Sequence, residues 1–392
     1  MDDLTRWRGE FPILSRTVYM ISNSLGAMPR AAARSLAEYA DTWATRGVRA
    51  WEERWWELAG ELGGRIEAII GAPAGSVSMH ENVTTAEAVA LSCITPGGPK
   101  RTIVCTAMDF PSAVYLYKAQ RDLGFDLRVV PALEDLSVPA ERIADAIDDR
   151  TAAVCLSHVL FRSSYIVDPG PVIEKAHAVG AVVILDGYQS AGIIPVDVTS
   201  LGVDFFVGGC LKWLCGGPGN AFLYTAPWVK ARTRPRLTGW LSRSDPFAFD
   251  IDATDVRDDG MAMMNGTPAI PAYYAALPGL DLIRTIGVDR IRAASQAMTR
   301  RLLDLVDECG YQSVASRDPG RLAGTVAVDV PEAARVAKAL NARDFVVDYR
   351  PGVGIRLSPH FYNTMDEIDA MMRELDRVTR TRDFAPAGPA GS

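Results

Sequence analysis

The chain of 392 residues is 48 % hydrophobic and carries a formal net charge of -7. A chain of this size can bury a large core, and its length predicts either two or three domains or one large domain with a smaller partner. Because no basic run is present to neutralise phosphates, nucleic-acid binding is excluded as a function class. The N-terminal stretch has no apolar signal segment and no apolar run reaches transmembrane length, so we expect a soluble, cytoplasmic protein without membrane contacts.

The cysteines give no sign of a metal site or of a disulfide framework. They are scattered along the chain, as Cys93, Cys105, Cys155, Cys210, Cys215 and Cys309. No pair has the C-x-x-C spacing that is typical of zinc sites. We therefore expect no bound metal, and mostly buried thiols in a reducing compartment.

Apolar runs that alternate with helical segments dominate the first two thirds of the chain. Residues 1–29 predict irregular structure with a turn at residues 23–26, and residues 30–70 have a helical pattern. Strands are predicted at residues 101–107, 127–131, 152–157, 181–185, 203–207 and 221–224. This alternation is typical of a parallel sheet that helices cover on both faces. The functional loops of such a sheet lie at the carboxyl ends of its strands.

The last third of the chain predicts a smaller α+β unit. Helical patterns at residues 280–286 and 288–306 precede two predicted strands, and Thr364 to Glu367 fits a capping box before a final helix. We expect an N-terminal segment at residues 1–45 that packs with the small domain, a large domain at residues 46–280 and a small domain at residues 281–382. Residues 383–392, rich in Pro, Gly and Ala, predict a flexible tail.

A single lysine stands out between two of the predicted strands. Lys212 follows an apolar run, and the sequence Gly216-Gly217-Pro218-Gly219 comes shortly after it. A lysine in apolar surroundings is costly to desolvate, and a desolvated amine is a good nucleophile towards an aldehyde. The alternative is a lysine at a strand end whose ammonium reaches water.

Two further features give the lysine a possible partner molecule. Asp186 directly follows another predicted strand, so an acid and an amine would meet at neighbouring strand ends. Thr84 and Thr85 begin a predicted helix, where hydroxyl groups either cap the helix or help to bind a phosphate. An ordinary ion pair is one interpretation of Asp186 and Lys212. The other is a site for pyridoxal 5'-phosphate, with its aldehyde on Lys212 and its ring nitrogen held protonated by Asp186.

Several stretches of the chain resemble one enzyme family. They are NVTTAEAVAL, MDFPSAVY, LSHVLFRSSY, LDGYQS, GCLKWLCGGPG, MNGTPAIPA and GIRLSPHFYNT. These stretches look like the class V, fold type I pyridoxal-phosphate enzymes, and within that class they are most similar to the kynureninase-like branch. The resemblance implies an α/β fold with a mostly parallel seven-stranded sheet in the large, cofactor-binding domain.

The same resemblance implies roles for individual residues around the cofactor. Thr84 and Thr85 would hold the phosphate, and Phe110 would stack on the pyridine ring. Asp186 would meet the ring nitrogen, and Lys212 would form the Schiff base. Gln189 would contact the ring hydroxyl or the phosphate side, and Ser157 and His158 are weaker candidates near the ring hydroxyl.

The resemblance also implies substrate contacts and a partner subunit. Arg356 would clamp the α-carboxylate of an amino acid substrate, for which a planar guanidinium is well suited. From its own sequence context, by contrast, Arg356 would be expected on the surface. Asn23 and Ser24 would line the mouth of the site. Trp240 and Thr267 would reach the phosphate of the neighbouring subunit, which implies a homodimer with shared active sites.

Two positions depart from the kynureninase pattern. Leu211 stands where kynureninase has a tyrosine before its lysine, and Gln189 stands where it has a histidine. Residues 350–363 also lack the loop cysteine of persulfide-forming desulfurases. We therefore expect a β-lyase that cleaves a Cβ–S or Cβ–C bond, such as that of a cysteine S-conjugate. The alternatives are an aminotransferase, other Cα chemistry including decarboxylation, a kynureninase-type hydrolase, or a non-enzymatic scaffold.

Overall fold

A twisted seven-stranded sheet forms the centre of the larger part of the protein. The computed structural model describes residues 4–96 and 98–384. The strands of this sheet, in chain order after the short strand β1 (Val18–Tyr19), are β2 (Val77–His80), β3 (Thr102–Thr106), β4 (Asp126–Val130), β5 (Thr151–Ser157), β6 (Val182–Asp186), β7 (Phe205–Gly209) and β8 (Ala221–Thr225).

The order of the strands brings the predicted acid and lysine together. The sheet runs β2-β8-β7-β6-β5-β3-β4, with strands β3 to β7 parallel and β8 antiparallel to both of its neighbours. Strands β3, β5, β7 and β8 are buried along their whole length because the sheet is covered on both faces. The expected α/β fold with a mostly parallel seven-stranded sheet is confirmed.

Helices connect and cover the strands. Those of the larger part are α1 (Arg30–Arg46), α2 (Trp56–Ile70), α3 (Val83–Ser92), α4 (Pro111–Ala119), α5 (Ala140–Asp145), α6 (Gly170–Ala178), α7 (Val198–Leu201), α8 (Pro227–Lys230) and α9 (Ile270–Ile286). Helix α3 packs against β7, β8 and α4, so its N-terminus reaches the same edge of the sheet as the end of β7.

A second, smaller core is built by the C-terminal elements. These are α10 (Val288–Cys309), β9 (Val326–Val328), α11 (Ala333–Asn341), β10 (Phe345–Val346), β11 (Asp348–Arg350), β12 (Gly354–Leu357) and α12 (Met365–Thr381). Strands β11, β12 and β9 form an antiparallel sheet in that order. The predicted capping box is present, because Thr364 accepts from the Glu367 amide and the Glu367 side chain accepts from the Thr364 amide.

The expected domain boundaries remain a prediction, but the packing qualifies two of them. Position 280 lies inside α9, which stays in the larger core as far as Ile286 because the helix is unbroken until Gly287. The N-terminal segment contacts both cores: Leu14 packs in the larger one, while β1 pairs in parallel with β10. Of the predicted tail, Asp383 pairs with Arg343 and Arg377, and residues 385–392 lie outside the described residues.

The helices and the cysteines of the described chain can be compared with the expectations from the sequence. None of the helices in residues 4–96 and 98–384 is long and apolar enough to cross a membrane. All six cysteines are free, and all but Cys309 are buried, as the sequence predicted. Within the same ranges no cluster of His, Cys, Asp and Glu could hold a metal ion.

Candidate active site

A cavity of about 490 Å³ opens at the carboxyl edge of the large sheet. Its walls come from the ends of β5, β6 and β7, the start of α3, the N-terminal segment and the β11–β12 hairpin. The predicted site residues that line it are Asn23, Ser24, Thr84, Phe110, Ser157, Asp186, Gln189, Lys212 and Arg356. The structure therefore brings together nine residues that are widely separated along the chain.

Asp186 ends β6 and faces the cavity from its floor. One carboxylate oxygen, Oδ1, accepts a hydrogen bond of 2.7 Å from the backbone amide of Tyr188. Burial raises the pKa of Asp186 above its usual value, and the positive charge of Lys212 acts against that rise. The remaining oxygen, Oδ2, is available to a cationic N–H group in the cavity.

Lys212 lies in the turn that follows β7, next to the end of β6. Its Nζ atom is 4.0 Å from the ring centroid of Tyr188 and 5.9 Å from that of Phe110. Burial, opposed by the charge of Asp186 and reinforced by Arg356 and Arg350, lowers the pKa of Lys212 to about 8. Of the two interpretations of this lysine, the structure favours the desolvated amine over an ammonium that reaches bulk water.

The N-terminus of α3 forms a ready anion site on the cavity wall. Asn82 caps this helix by accepting a 2.9 Å hydrogen bond from the Thr85 amide, so the capping role predicted for the threonine pair belongs to Asn82. The first hydrogen bond of the helix is the one that the Asn82 carbonyl accepts from the Ala86 amide. The amides of Val83 and Thr84 come before it and have no acceptor within the helix. Both residues line the cavity, where such amides favour a phosphate.

Gln189 joins the N-terminal segment to the lysine turn. Its Nε2 donates to the Asn23 carbonyl at 3.0 Å, and its Oε1 accepts from the Trp213 indole at 3.0 Å. Gly26 approaches the same turn so closely that an added Cβ would lie 2.1 Å from the Lys212 carbonyl oxygen. Gln189 lines the cavity as predicted, but one of its two N–H groups is already bonded to the N-terminal segment and one acceptor site to the lysine turn.

Arg356 is buried, contrary to the surface position that its sequence context favoured. Only 2 % of its surface is exposed, because its neighbours on the β11–β12 hairpin and Phe161 cover it. Asp348, directly opposite in the hairpin, accepts from both Nε and Nη2 of Arg356, and it also pairs with Arg350 at 2.9 Å. Two guanidinium groups thus share one carboxylate and leave one positive charge at the cavity wall.

Several cavity residues were not foreseen from the sequence. They are Asn82, Glu87, Tyr188 and Arg350, together with Asp348 behind the wall. The two-residue period of a strand could have indicated Asp348 and Arg350, because residues two apart on one strand lie on the same face. Arg356 lies opposite Asp348 on the next strand and shares that face. Tyr188 packs over Gly209, where an added Cβ would lie 2.6 Å from the tyrosine ring.

Four of the predicted residues lie outside the cavity wall. Thr85 donates its hydroxyl to Asn82, and His158 is buried behind β5 with its pKa lowered to about 4 by desolvation. Trp240 packs against Trp56 and donates its indole N–H to the Pro246 carbonyl.

Thr267, the fourth of these residues, is exposed. The contacts expected of Trp240 and Thr267 with a neighbouring subunit remain a prediction. A hydrogen bond from the Trp240 indole to the phosphate of that subunit would require the indole N–H to give up its bond to the Pro246 carbonyl.

Comparison with known proteins agrees with this geometry. The sequence matches the family described as Aminotransferase class-V over residues 18–371. The chain belongs to the class-V aminotransferase family. An uncharacterized aminotransferase, YcbU of Bacillus subtilis, is 31 % identical over 95 % of this chain and 98 % of its own length. Kynureninase of Pseudomonas fluorescens is 30 % identical over 96 % of this chain and 94 % of its own length.

Two solved structures of other enzymes share the fold at lower identity. The apo structure of a cysteine desulfurase from Thermococcus onnurineus superposes with a TM-score of 0.85, at 21 % identity and over 97 % of this chain and 99 % of that one. The cystine C–S lyase C-DES, in complex with cysteine persulfide, also gives a TM-score of 0.85 at 21 % identity, over 93 % of this chain and 99 % of that one. These likenesses confirm fold type I.

As a class-V aminotransferase family member, the protein is a pyridoxal-phosphate-dependent enzyme. The residues present fit that cofactor. An amine and a carboxylate lie at adjacent strand ends, helical amides stand free for a phosphate, and an aromatic ring, Phe110, is 46 % exposed towards the space between them. Two buried polar groups in the wall, the Asn23 amide and Glu87 Oε2, have no partner within the described chain, as expected where a ligand completes the site.

The lowered pKa of Lys212 predicts how cofactor capture depends on pH. Only the neutral amine attacks an aldehyde, so the rate of capture by the apoprotein should rise with pH and level off above about 8. An unperturbed lysine amine would level off only near its ordinary pKa of about 10.4. The measurement is the stopped-flow absorbance change on mixing apoprotein with pyridoxal 5'-phosphate at a series of pH values. A rate that still rises tenfold between pH 9 and 10 would contradict the lowered pKa.

Proposed function

We propose that the enzyme is a β-lyase that cleaves the Cβ–S or Cβ–C bond of an amino acid such as a cysteine S-conjugate. The observation that carries the proposal is the side chain before the lysine, Leu211, which lines the cavity as an apolar group. At this position it offers no proton to a carbonyl on the substrate side chain. No cysteine is among the residues that line the cavity in the described chain, so no thiol is in place there to accept sulfur.

The residues of the chain divide the work of such a reaction. Arg356 binds the substrate α-carboxylate through the guanidinium N–H groups that Asp348 and Phe161 leave free. Asp186 would keep the cofactor ring nitrogen protonated, and the amides at the start of α3 would bind the phosphate. Bound pyridoxal phosphate supplies an electron sink for the substrate Cα. Lys212, once free, takes the Cα proton, because its lowered pKa makes it a base near neutral pH.

The same proposal includes the substrate contacts, the oligomeric state and the cellular location of the enzyme. Asn23 and Ser24 line the cavity, where they would contact the substrate. Trp240 and Thr267 would complete the phosphate site of a second subunit, so we propose a homodimer. Six free cysteines are consistent with a cytoplasmic location.

One assay separates the candidate reactions. Purified holoenzyme is incubated with S-methylcysteine and S-benzylcysteine, and free thiol and pyruvate are measured against a Lys212→Ala control. Stoichiometric thiol and pyruvate are expected, because β-elimination releases an aminoacrylate that hydrolyses to pyruvate and ammonia. The absence of both products with either substrate at millimolar concentration would remove the proposal.

Kynurenine hydrolysis is the second candidate, and the curated relatives favour it. Kynureninases about 30 % identical span nearly the whole chain. The phenol of Tyr188, adjacent to Lys212, offers a proton donor at a different position from the tyrosine that Leu211 replaces. Anthranilate release from kynurenine would establish this activity, whereas a cofactor converted to its amine form by an amino donor would indicate transamination.

A further inference from the structure

His360 is a fully buried histidine that contacts the lysine turn, residues 210–215, from the segment between β12 and α12. Its Nε2 atom is 2.8 Å from the carbonyl oxygen of Trp213, the residue that follows Lys212. The imidazole and indole rings also meet edge to face, with 5.3 Å between their centroids and 81° between their planes. One polar and one aromatic contact therefore join this side chain to the lysine turn.

The polar contact fixes the tautomer of His360. A carbonyl oxygen can only accept a hydrogen bond, so Nε2 must carry the proton. Nδ1 has no partner within residues 4–96 and 98–384, and a second proton there would create a buried, unpaired charge. In agreement, burial lowers the pKa of His360 to about 4, although the bond to Trp213 opposes that change. His360 is thus a neutral donor that gives its N–H group to the lysine turn.

Three consecutive carbonyl groups of the lysine turn are bonded to three different parts of the chain. The carbonyl before Lys212 accepts the amide of Gly26 at 2.9 Å, and that of Lys212 accepts the amide of Cys215 at 3.0 Å. The third carbonyl, that of Trp213, accepts from His360. Because the first two donors are backbone amides, His360 is the one side chain of the three. Without it the buried Trp213 carbonyl would lose its donor, and the turn would shift to regain one.

We propose that His360 is a positioning residue for Lys212, which it serves by holding the Trp213 carbonyl and with it the backbone that carries the amine. The segment that His360 belongs to follows directly on the strand of Arg356, so neighbouring residues set both the carboxylate site and the direction of the lysine. Misplacing a reacting group by about 1 Å can slow a reaction about 10²-fold. The inference rests on the role proposed for Lys212, and it is independent of which bond the enzyme cleaves.

Two substitutions separate the donated proton from the ring. His360→Gln keeps an N–H group at the same number of bonds from the backbone as Nε2, whereas His360→Phe keeps an aromatic ring but has no donor. Apoprotein is mixed with saturating pyridoxal 5'-phosphate, and stopped-flow absorbance follows covalent capture, in which the amine and the aldehyde join with loss of water. We expect a rate within about threefold of wild type for His360→Gln and at least about tenfold lower for His360→Phe.

The tautomer gives a second readout that needs no cofactor. The chain has four histidines, so NMR of apoprotein labelled at the histidine nitrogens gives few signals, and those of His360 are the ones that disappear in His360→Gln. At neutral pH we expect a proton on Nε2 of His360 and none on Nδ1. A proton on Nδ1 would overturn the assignment, because Nε2 could then not donate to Trp213.

A neighbouring substitution controls for an effect on stability alone. Ser358 lies in the same segment and shares a buried hydrogen bond of 2.9 Å with Thr325, outside the lysine turn. Ser358→Ala should therefore unfold at lower urea concentration but capture the cofactor at the wild-type rate. If folded His360→Phe slows capture no more than Ser358→Ala does, His360 serves the fold alone and the assignment is wrong.

Two further variants keep the test decisive. Should His360→Phe fail to fold, His360→Asn replaces it with the same expected loss, because its N–H group lies one bond too close to the backbone. Lys212→Ala is run in parallel. Covalent capture at the wild-type rate in that variant would show that the role of Lys212, rather than that of His360, is wrong.

Discussion

Replacing Lys212 with alanine is expected to lower kcat by at least about 10² to 10⁴, the range that a positioned proton-transfer group supplies. The loss should be this large because Lys212 is the one amine among the described residues of the cavity wall and lies beside both Asp186 and Phe110. In the proposed mechanism its amine would both hold the cofactor and move the Cα proton. The measurements are kcat with whichever substrate the thiol and pyruvate assay shows to be cleaved, and the visible absorbance of the bound cofactor.

Stability provides the control for this substitution. Burial lowers the pKa of the Lys212 amine, which means that the folded protein bears a cost for keeping a charge there. The alanine variant should therefore unfold at a temperature equal to or above that of wild type. It should still bind pyridoxal phosphate through the α3 amides, but release it on gel filtration. Activity within tenfold of wild type would show that another residue carries the proton.

Replacing Arg356 with methionine is expected to cause the second large loss, in both stability and substrate binding. The guanidinium is buried and holds Asp348 in a two-point ion pair, so its removal leaves a nearly buried carboxylate with Arg350 alone. Breaking a buried pair from one side costs about 3–5 kcal/mol. The Arg350 contact should place the value at the lower end of that range. Urea unfolding at pH 7 measures it, and steady-state kinetics give the rise in KM.

A double variant distinguishes the two roles of Arg356. Asp348→Asn removes the charge that Arg356→Met would leave with Arg350 as its one partner, so the two substitutions together should recover most of the lost stability. It should not recover substrate binding, because no guanidinium remains to meet the α-carboxylate. Arg350→Met is the matched control on the same strand face, with a more exposed side chain and a smaller expected effect. If the double variant regains normal KM, Arg356 serves the fold and not the substrate.

The sheet and the acid–amine pair were predictable because their signals are local. The apolar runs of β6 and β7 end at Asp186 and shortly before Lys212, and parallel strands bring such ends to one edge. The helix that begins near Thr84 was also apparent, although its cap, Asn82, was not distinguished from the neighbouring hydroxyl residues. Each of these inferences needed only the pattern within one strand or helix.

The other features of the site depend on contacts between distant segments. Arg356 is buried because residues of a hairpin and a loop 195 positions away close over it, and nothing in its immediate sequence encodes that contact. Gln189 is bound to both Asn23 and Trp213, which only the folded chain brings together. Glu87 occurs in a helix where glutamate is common, so its burial could not be deduced from composition or spacing.

The fit of Tyr188 over Gly209 has an evolutionary consequence. Because a single carbon added at position 209 would collide with the phenol ring, the two positions cannot diverge independently. Lineages that acquire serine or alanine at 209 must first, or at the same time, exchange the tyrosine for a small side chain. Homologues with an aromatic residue at position 188 should therefore have glycine at 209, and those with serine or alanine at 209 should have a small residue at 188.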